Sequence, residues 1–178
     1  MSPAKSSRHS SSNSLELDVQ LGTSRRGVPH SKRLREWAQA AYLAHVNLHP
    51  KRGKRRAIPP AVVSLRVVTA SESRKLNLAW RGKDKPTNVL SFPVGDEEMM
   101  VEEGAQQLGD LAICAQVVAR EAREQGKSPA AHWAHMMIHG VLHLLGYDHE
   151  TSRDAKVMES IEVNVLKQFE FPDPYQSL

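Results

Sequence analysis

His139 and His143 stand four residues apart in the segment HWAHMMIHGVLHLLGYDH, His149 follows six residues later, and five of the chain's nine histidines fall in this stretch. On a helix, side chains at i and i+4 leave one face about 6 Å apart, so the first two rings can share one ion. Gly146 comes three positions after His143. A glycine there ends a helix through left-handed backbone and turns the chain back, so that His149 can reach the same point. Three imidazoles with a free fourth position suit zinc or a similar borderline divalent ion in its catalytic arrangement, whereas structural sites lean on cysteine. The chain has one cysteine, Cys114. Histidines on a helix can also be solvated or cap neighbouring groups, and a third one beyond a helix-ending glycine weighs against that simpler account. His132 and His135 lie on nearly the same helical face and are read as lining the site and hydrogen-bonding behind the ligands.

The spacing H-x3-H-x5-H with glycine after the second histidine occurs in the metzincin proteases, where a glutamate directly after the first histidine is the general base. Here that position is Gly140. Glycine inside a helix costs roughly 1 kcal/mol against alanine, so its presence implies that space matters there. The peptidase base is missing, but water activation is not, because a zinc ion brings the pKa of its water towards about 7 without a carboxylate. Cys114 sits in an apolar run with no paired base and reads as a buried structural thiol, and Ser91 lies in no nucleophile-elbow pattern.

These residues need elements to hold them. Ser128 can cap free amides and Pro129 fits a first helical turn, which predicts a helix from there to Leu145 carrying His139 and His143. Leu15 to Leu21 alternates apolar and polar residues with the two-residue period of a half-buried strand. Helical spacing of Leu34, Trp37, Ala38, Ala41 and Tyr42 predicts a helix from His30 to about Val46, ended by the proline- and charge-rich HPKRGKRRAIPP. AVVSLRVV reads as the next strand. Thr69 and Glu72 open a helix that stops near Gly82, and the loop RGKDKPT leads into the strand NVLSFPV, bracketed by Pro86 and Pro93. After an acidic stretch from Asp96 to Glu103, LGDLAICA reads as a strand and QVVAREAREQ as a helix closed by Gly126. Thr151 and Asp154 start a last helix to about Phe169. The sum is an α+β or mixed α/β domain, a four-stranded sheet with helices packed on it.

A chain of 178 residues with 40% hydrophobic content can bury one core, so one domain is expected over residues 15–178, after a polar, serine-rich leader at 1–14 that reads as disordered. That leader lacks the apolar region of a secretory signal, and no stretch approaches the roughly 20 apolar residues a membrane span needs. The reading is a soluble cytoplasmic protein with no membrane partner. A net charge of +4 and a pI near 9.3 permit a polyanionic partner without demanding one.

The segment HGVLHLLGYDH, together with WRGKDKPTNVLSFP and LGDLAICAQVV, closely resembles the YbeY family of bacterial endoribonucleases, and the likeness runs from about Leu15 to Tyr175. The resemblance implies a mixed sheet with helices and a single-strand-specific, metal-dependent endoribonuclease acting in 16S rRNA 3′-end maturation and ribosome quality control. It implies one zinc ion on His139, His143 and His149, and a functional arginine at Arg81. Its partners would be rRNA, the small ribosomal subunit and assembly factors. The basic run Lys51, Arg52, Lys54, Arg55 and Arg56 lies outside the matching motifs and reads equally as a phosphate-contacting loop or a solvated linker.

Phosphodiester cleavage develops extra negative charge, which a divalent ion and a guanidinium can stabilise. Arg81 is the candidate for the second part, because arginine can grip two phosphate oxygens in a fork; a surface salt bridge is its ordinary alternative. His139 and Arg81 are thus the candidate catalytic residues. Lys83 and Lys85 would attract the RNA backbone, and Asp84 would orient their loop. Tyr147 and Trp80 offer rings for an unpaired base, packing being the weightier role for each. Two other functions compete: an RNA-binding assembly protein whose metal only braces the fold, which a fourth protein ligand would favour, and a metalloprotease-like hydrolase, which the absent glutamate disfavours.

Overall fold

The computed structural model describes residues 14–49, 60–95 and 104–176. Most of the leader, the basic run at 51–56 and the acidic stretch at 96–103 fall outside the described residues. In chain order the elements are β1 (Leu15–Leu21), α1 (Ser31–Leu48), β2 (Ala61–Val68), α2 (Ala70–Arg81), β3 (Val89–Pro93), β4 (Gln106–Cys114), α3 (Ala115–Glu124), α4 (Pro129–Leu144) and α5 (Ser152–Lys167). The fold is mixed α/β, as expected. Local chemistry sets the boundaries where the sequence marks them. Thr69, Ser128 and Thr151 each accept a hydrogen bond from the amide three residues on, capping α2, α4 and α5. Gly82, at φ 66°, ends α2 in left-handed backbone. The first helix differs slightly: His30 is its N-cap, its ring accepting from the amide of Lys32, and the helix runs on to Leu48.

The four strands lie in the order β1-β2-β4-β3. β1 and β4 flank β2 in parallel, and β3 pairs antiparallel with β4 at the sheet edge. Alternation along the strands divides two apolar layers. Val63, Leu65, Val67, Leu111 and Ile113 face α1, α4 and α5, and this side forms the main core with Trp37, Trp133 and Met137. The opposite side is thin: Val68, Leu90, Ala112 and Cys114 meet only Val117 and flanking residues such as Leu76 of α2 and Phe92. Cys114 is fully buried, as read from its apolar run.

α4 runs through the middle of the main core, and twelve of its sixteen residues are buried. A helix buried nearly all round carries polar side chains only where they find partners, so each histidine on it has to be accounted for by what it touches.

Candidate metal centre

Helix α4 ends in a Schellman turn, in which the amide of Gly146 bonds to the carbonyl of His143 and the amide of Tyr147 to that of Leu142. Gly146 has φ 87°, the left-handed conformation that this turn requires and that glycine adopts without a Cβ penalty. The reversal carries His149 back over the helix end. His139 and His143 meet with their Nε2 atoms 3.1 Å apart. The ring of His149 lies 5.0 Å from that of His143 and 5.7 Å from that of His139. One ring nitrogen from each of the three comes within 4.8 Å of the others.

Behind this trio sits a residue that the sequence reading missed. Glu162 of α5 is fully buried, and its Oε1 lies 2.7 Å from His139 Nδ1. Its other oxygen accepts from the Tyr175 hydroxyl and lies 3.4 Å from His135 Nε2. Burial alone would raise its pKa, but the hydrogen bonds and charges of His135 and His139 outweigh that and bring the carboxyl down to about 2. An ionised carboxylate only accepts hydrogen bonds, so His139 Nδ1 carries a proton and donates it to Glu162, which leaves Nε2 as the atom turned to the centre. His143 is held neutral: burial first, then His139 and His149, lower its pKa to about 4. Neutral imidazoles with converging lone pairs are what a divalent cation takes. One signal for Glu162 was present in the sequence. Met158, Ile161, Val165 and Leu166 mark the buried stripe of α5, and Glu162 lies within it, so it had to be paired.

His135, His139 and Glu162 form a second close donor group. Both of its carboxylate oxygens are already engaged by His139, Tyr175 and His135, so this group orients the ligands from behind. His135 therefore occupies the lining position expected for it. His132 does not: it turns to α3, with Nε2 2.9 Å from Glu121 Oε2, where the Asn88 amide also donates.

Gly140 is explained by packing. A Cβ built there meets Leu111 Cδ2 at 2.9 Å and Val89 Cγ2 at 3.3 Å, because α4 lies directly on the sheet. Any larger side chain, glutamate included, would be driven into the core. Gly140→Ala is expected to lower thermal stability: overpacking costs about 1–3 kcal/mol, and better helix propensity returns about 1 kcal/mol. The net loss is about 0–2 kcal/mol, a melting-temperature drop of up to roughly 8 °C at about 2–4 °C per kcal/mol. A higher melting temperature would contradict this account. Ser91 donates to the Gly140 carbonyl at 3.3 Å, a tie between β3 and α4.

The remaining candidates sit further out. Arg81 is exposed at the end of α2 and lines a separate hollow of about 760 Å³. The three histidines are distributed over two others: His139 and His149 line one, and His143 lines another in which Pro93 and Tyr42 also take part. Lys83 and Lys85 are exposed in the loop after α2. That loop is stitched down by Asn77, donating to the Lys85 carbonyl at 2.7 Å, and by a forked Arg74–Asp84 pair at 2.6 Å. Asp84 thus orients the loop through Arg74. Tyr147 is half-buried, its hydroxyl 3.1 Å from both His45 of α1 and His49, the residue that caps it. Packing accounts for Tyr147 but not for Trp80, which is 69% exposed and touches Phe92 only edge-on. No helix among the described residues is long and apolar enough to cross a membrane.

Comparison with known proteins finds similarity along most of the chain. The profile of the family described as Endoribonuclease YbeY matches residues 23–170. A protein named Endoribonuclease YbeY from Alkalilimnicola ehrlichii is 46% identical over 163 residues, covering 91% of this chain and 92% of its own. Another of that name, from Halorhodospira halophila, is 49% identical over 149 residues, 84% of this chain and 89% of its own. The solution structure of a Thermotoga maritima protein is similar with a TM-score of 0.52 and 26% identity, over 90% of this chain and 99% of that one.

Proposed function

The chain belongs to the Endoribonuclease YbeY family, and on that premise we propose that it cleaves single-stranded RNA with one zinc ion held by His139, His143 and His149. The observation that carries the proposal is the convergence of three imidazole donors, one of them oriented by the buried Glu162. Among the described residues no fourth histidine, cysteine or carboxylate donor joins this trio, which favours a catalytic over a purely bracing ion. An ion held there would supply Lewis-acid polarisation of a phosphoryl oxygen.

The chain's own groups do the rest. Glu162 and Tyr175 hold His139 in place, and the Schellman turn holds His149 against α4. Arg81, which has no ion-pair partner among the described residues, lines a hollow apart from the trio, so the part proposed for it is to hold a phosphate of the bound RNA at a distance from the ion. Lys83 and Lys85 supply long-range attraction to the RNA backbone. The cellular role consistent with this activity is maturation of the 16S rRNA 3′ end and ribosome quality control in the cytoplasm, in contact with the small subunit and its assembly factors.

Zinc-loaded protein is expected to cut a single-stranded oligoribonucleotide, to spare the same sequence in a duplex, and to stop when the ion is chelated. End-group analysis identifies the attacking group: a 2′,3′-cyclic phosphate marks the neighbouring ribose hydroxyl, and its absence from the first product marks water. Cleavage that persists in metal-free protein, or RNA left intact by the loaded protein, would overturn the proposal.

A further inference from the structure

The thin side of the sheet is incompletely covered. α2 lies over one part of it and leaves a hollow of about 760 Å³, floored by β2, β3 and β4 and walled by α2 from Glu72 to Arg81. That volume lies within the roughly 300–1,000 Å³ usual for sites that take small organic groups. Its rim carries Trp80 and Arg81 side by side, and Phe92 stands on the floor with its ring 5.4 Å from that of Trp80. Polar groups also line it: Gln20 and Asp110, both exposed, and the partly buried Ser64.

We propose that this hollow binds an unpaired nucleotide of the RNA substrate, its base stacked on Trp80 and its phosphate held by Arg81. The inference rests on the ribonuclease reading and adds to it a second subsite, on the sheet face opposite the histidine-bearing helix. The chemistry favours this occupant over a protein segment. The floor is largely apolar, with Leu90, Phe92 and Ala112 among its residues, and what favours a nucleotide is the exposed aromatic face that stands beside a cation at its rim. The charges are balanced, since Arg66 is paired with Glu72 at 2.8 Å and Asp110 offsets Arg81, so stacking and edge recognition dominate over bulk attraction. Pro93, at the end of edge strand β3, lines both this hollow and the one containing His143. A strand of RNA passing round that edge would therefore join the two.

The distribution of tryptophan makes the test direct. The chain has three tryptophans, of which Trp37 and Trp133 are each 1% exposed and Trp80 is 69% exposed. Zinc-loaded full-length protein is mixed in a stopped flow with a fluorophore-labelled single-stranded oligoribonucleotide, and tryptophan emission and RNA anisotropy are followed before cleavage sets in. Emission should be quenched as anisotropy rises. Trp80→Phe should remove the quenching while RNA still binds, and Trp80→Ala should weaken binding roughly 5- to 150-fold, the range for loss of one stacked base. Arg81→Ala should flatten the slope of log affinity against log salt by about 0.7, the share of a single phosphate contact. RNA that binds and is cut with Trp80 emission unchanged, or a Trp80→Ala protein that binds like the parent, would overturn the subsite and leave the ribonuclease reading standing. Parent protein that neither binds nor cuts RNA would overturn both.

Discussion

Replacing His143 with alanine is expected to remove bound zinc and RNA cleavage together while leaving the fold in place. His143 belongs only to the trio with His139 and His149, whereas His139 is common to that trio and to the group with His135 and Glu162. It is therefore the substitution that tells the two donor sets apart. Two imidazoles cannot hold the ion as three do, so affinity should fall further than the roughly 10- to 100-fold that follows loss of an outer partner. The ring is only half-buried at the end of α4, and α4 keeps its core contacts without it. Metal content, thermal melting and cleavage of single-stranded RNA, measured on the same preparation, test the claim. A variant that keeps stoichiometric zinc would move the site to His135, His139 and Glu162.

Glu162 should show the second-largest effect, and it should separate holding the ion from holding the fold. Glu162→Gln keeps the shape and one acceptor for His139 Nδ1, but it gives up the charge that fixes the tautomer. Zinc affinity is expected to fall by about 10- to 100-fold with melting little changed. Glu162→Ala goes further, leaving His139, His135 and the Tyr175 hydroxyl facing a fully buried gap. Unmet polar groups of this kind cost about 1–3 kcal/mol each. A total near 3 kcal/mol corresponds to a fall of roughly 6–12 °C in melting temperature for a domain of this size. Unaltered zinc affinity in Glu162→Gln would show that the carboxylate is a packing feature and not part of the metal's support.

The elements and the histidine trio are legible in the sequence because they rest on local rules. Thr69, Ser128 and Thr151 cap helices within three residues of themselves, Gly146 needs only its own backbone to turn the chain, and the i, i+4 spacing of His139 and His143 is a property of one helix. What cannot be read there depends on distant partners. Nothing local says that β4 inserts between β2 and β3, or that Glu162 meets His139 in place of one of the basic residues. The same holds for His132, which shares a face with the ligands yet is drawn away by Glu121 on a neighbouring helix. Trp80 shows the converse. Its helical spacing suits packing, but α2 covers only part of its sheet face and leaves the ring uncovered. Gly140 was legible as a demand for space, while the source of that demand, Leu111 and Val89, became visible only with the sheet in place.

Every group proposed to touch or orient the ion, apart from His135 and Tyr175, comes from the single stretch between His139 and Glu162. Bringing them together closes only short loops, and the entropy cost of loop closure grows with length. The hairpin of α4 and α5 is thus close to a self-contained cassette, while the RNA-facing candidates Trp80 and Arg81 belong to a different helix on the far side of the sheet. Changes that retune which strand of RNA is accepted can therefore accumulate around α2 without reaching the ion's surroundings, and the two properties are free to diverge among relatives.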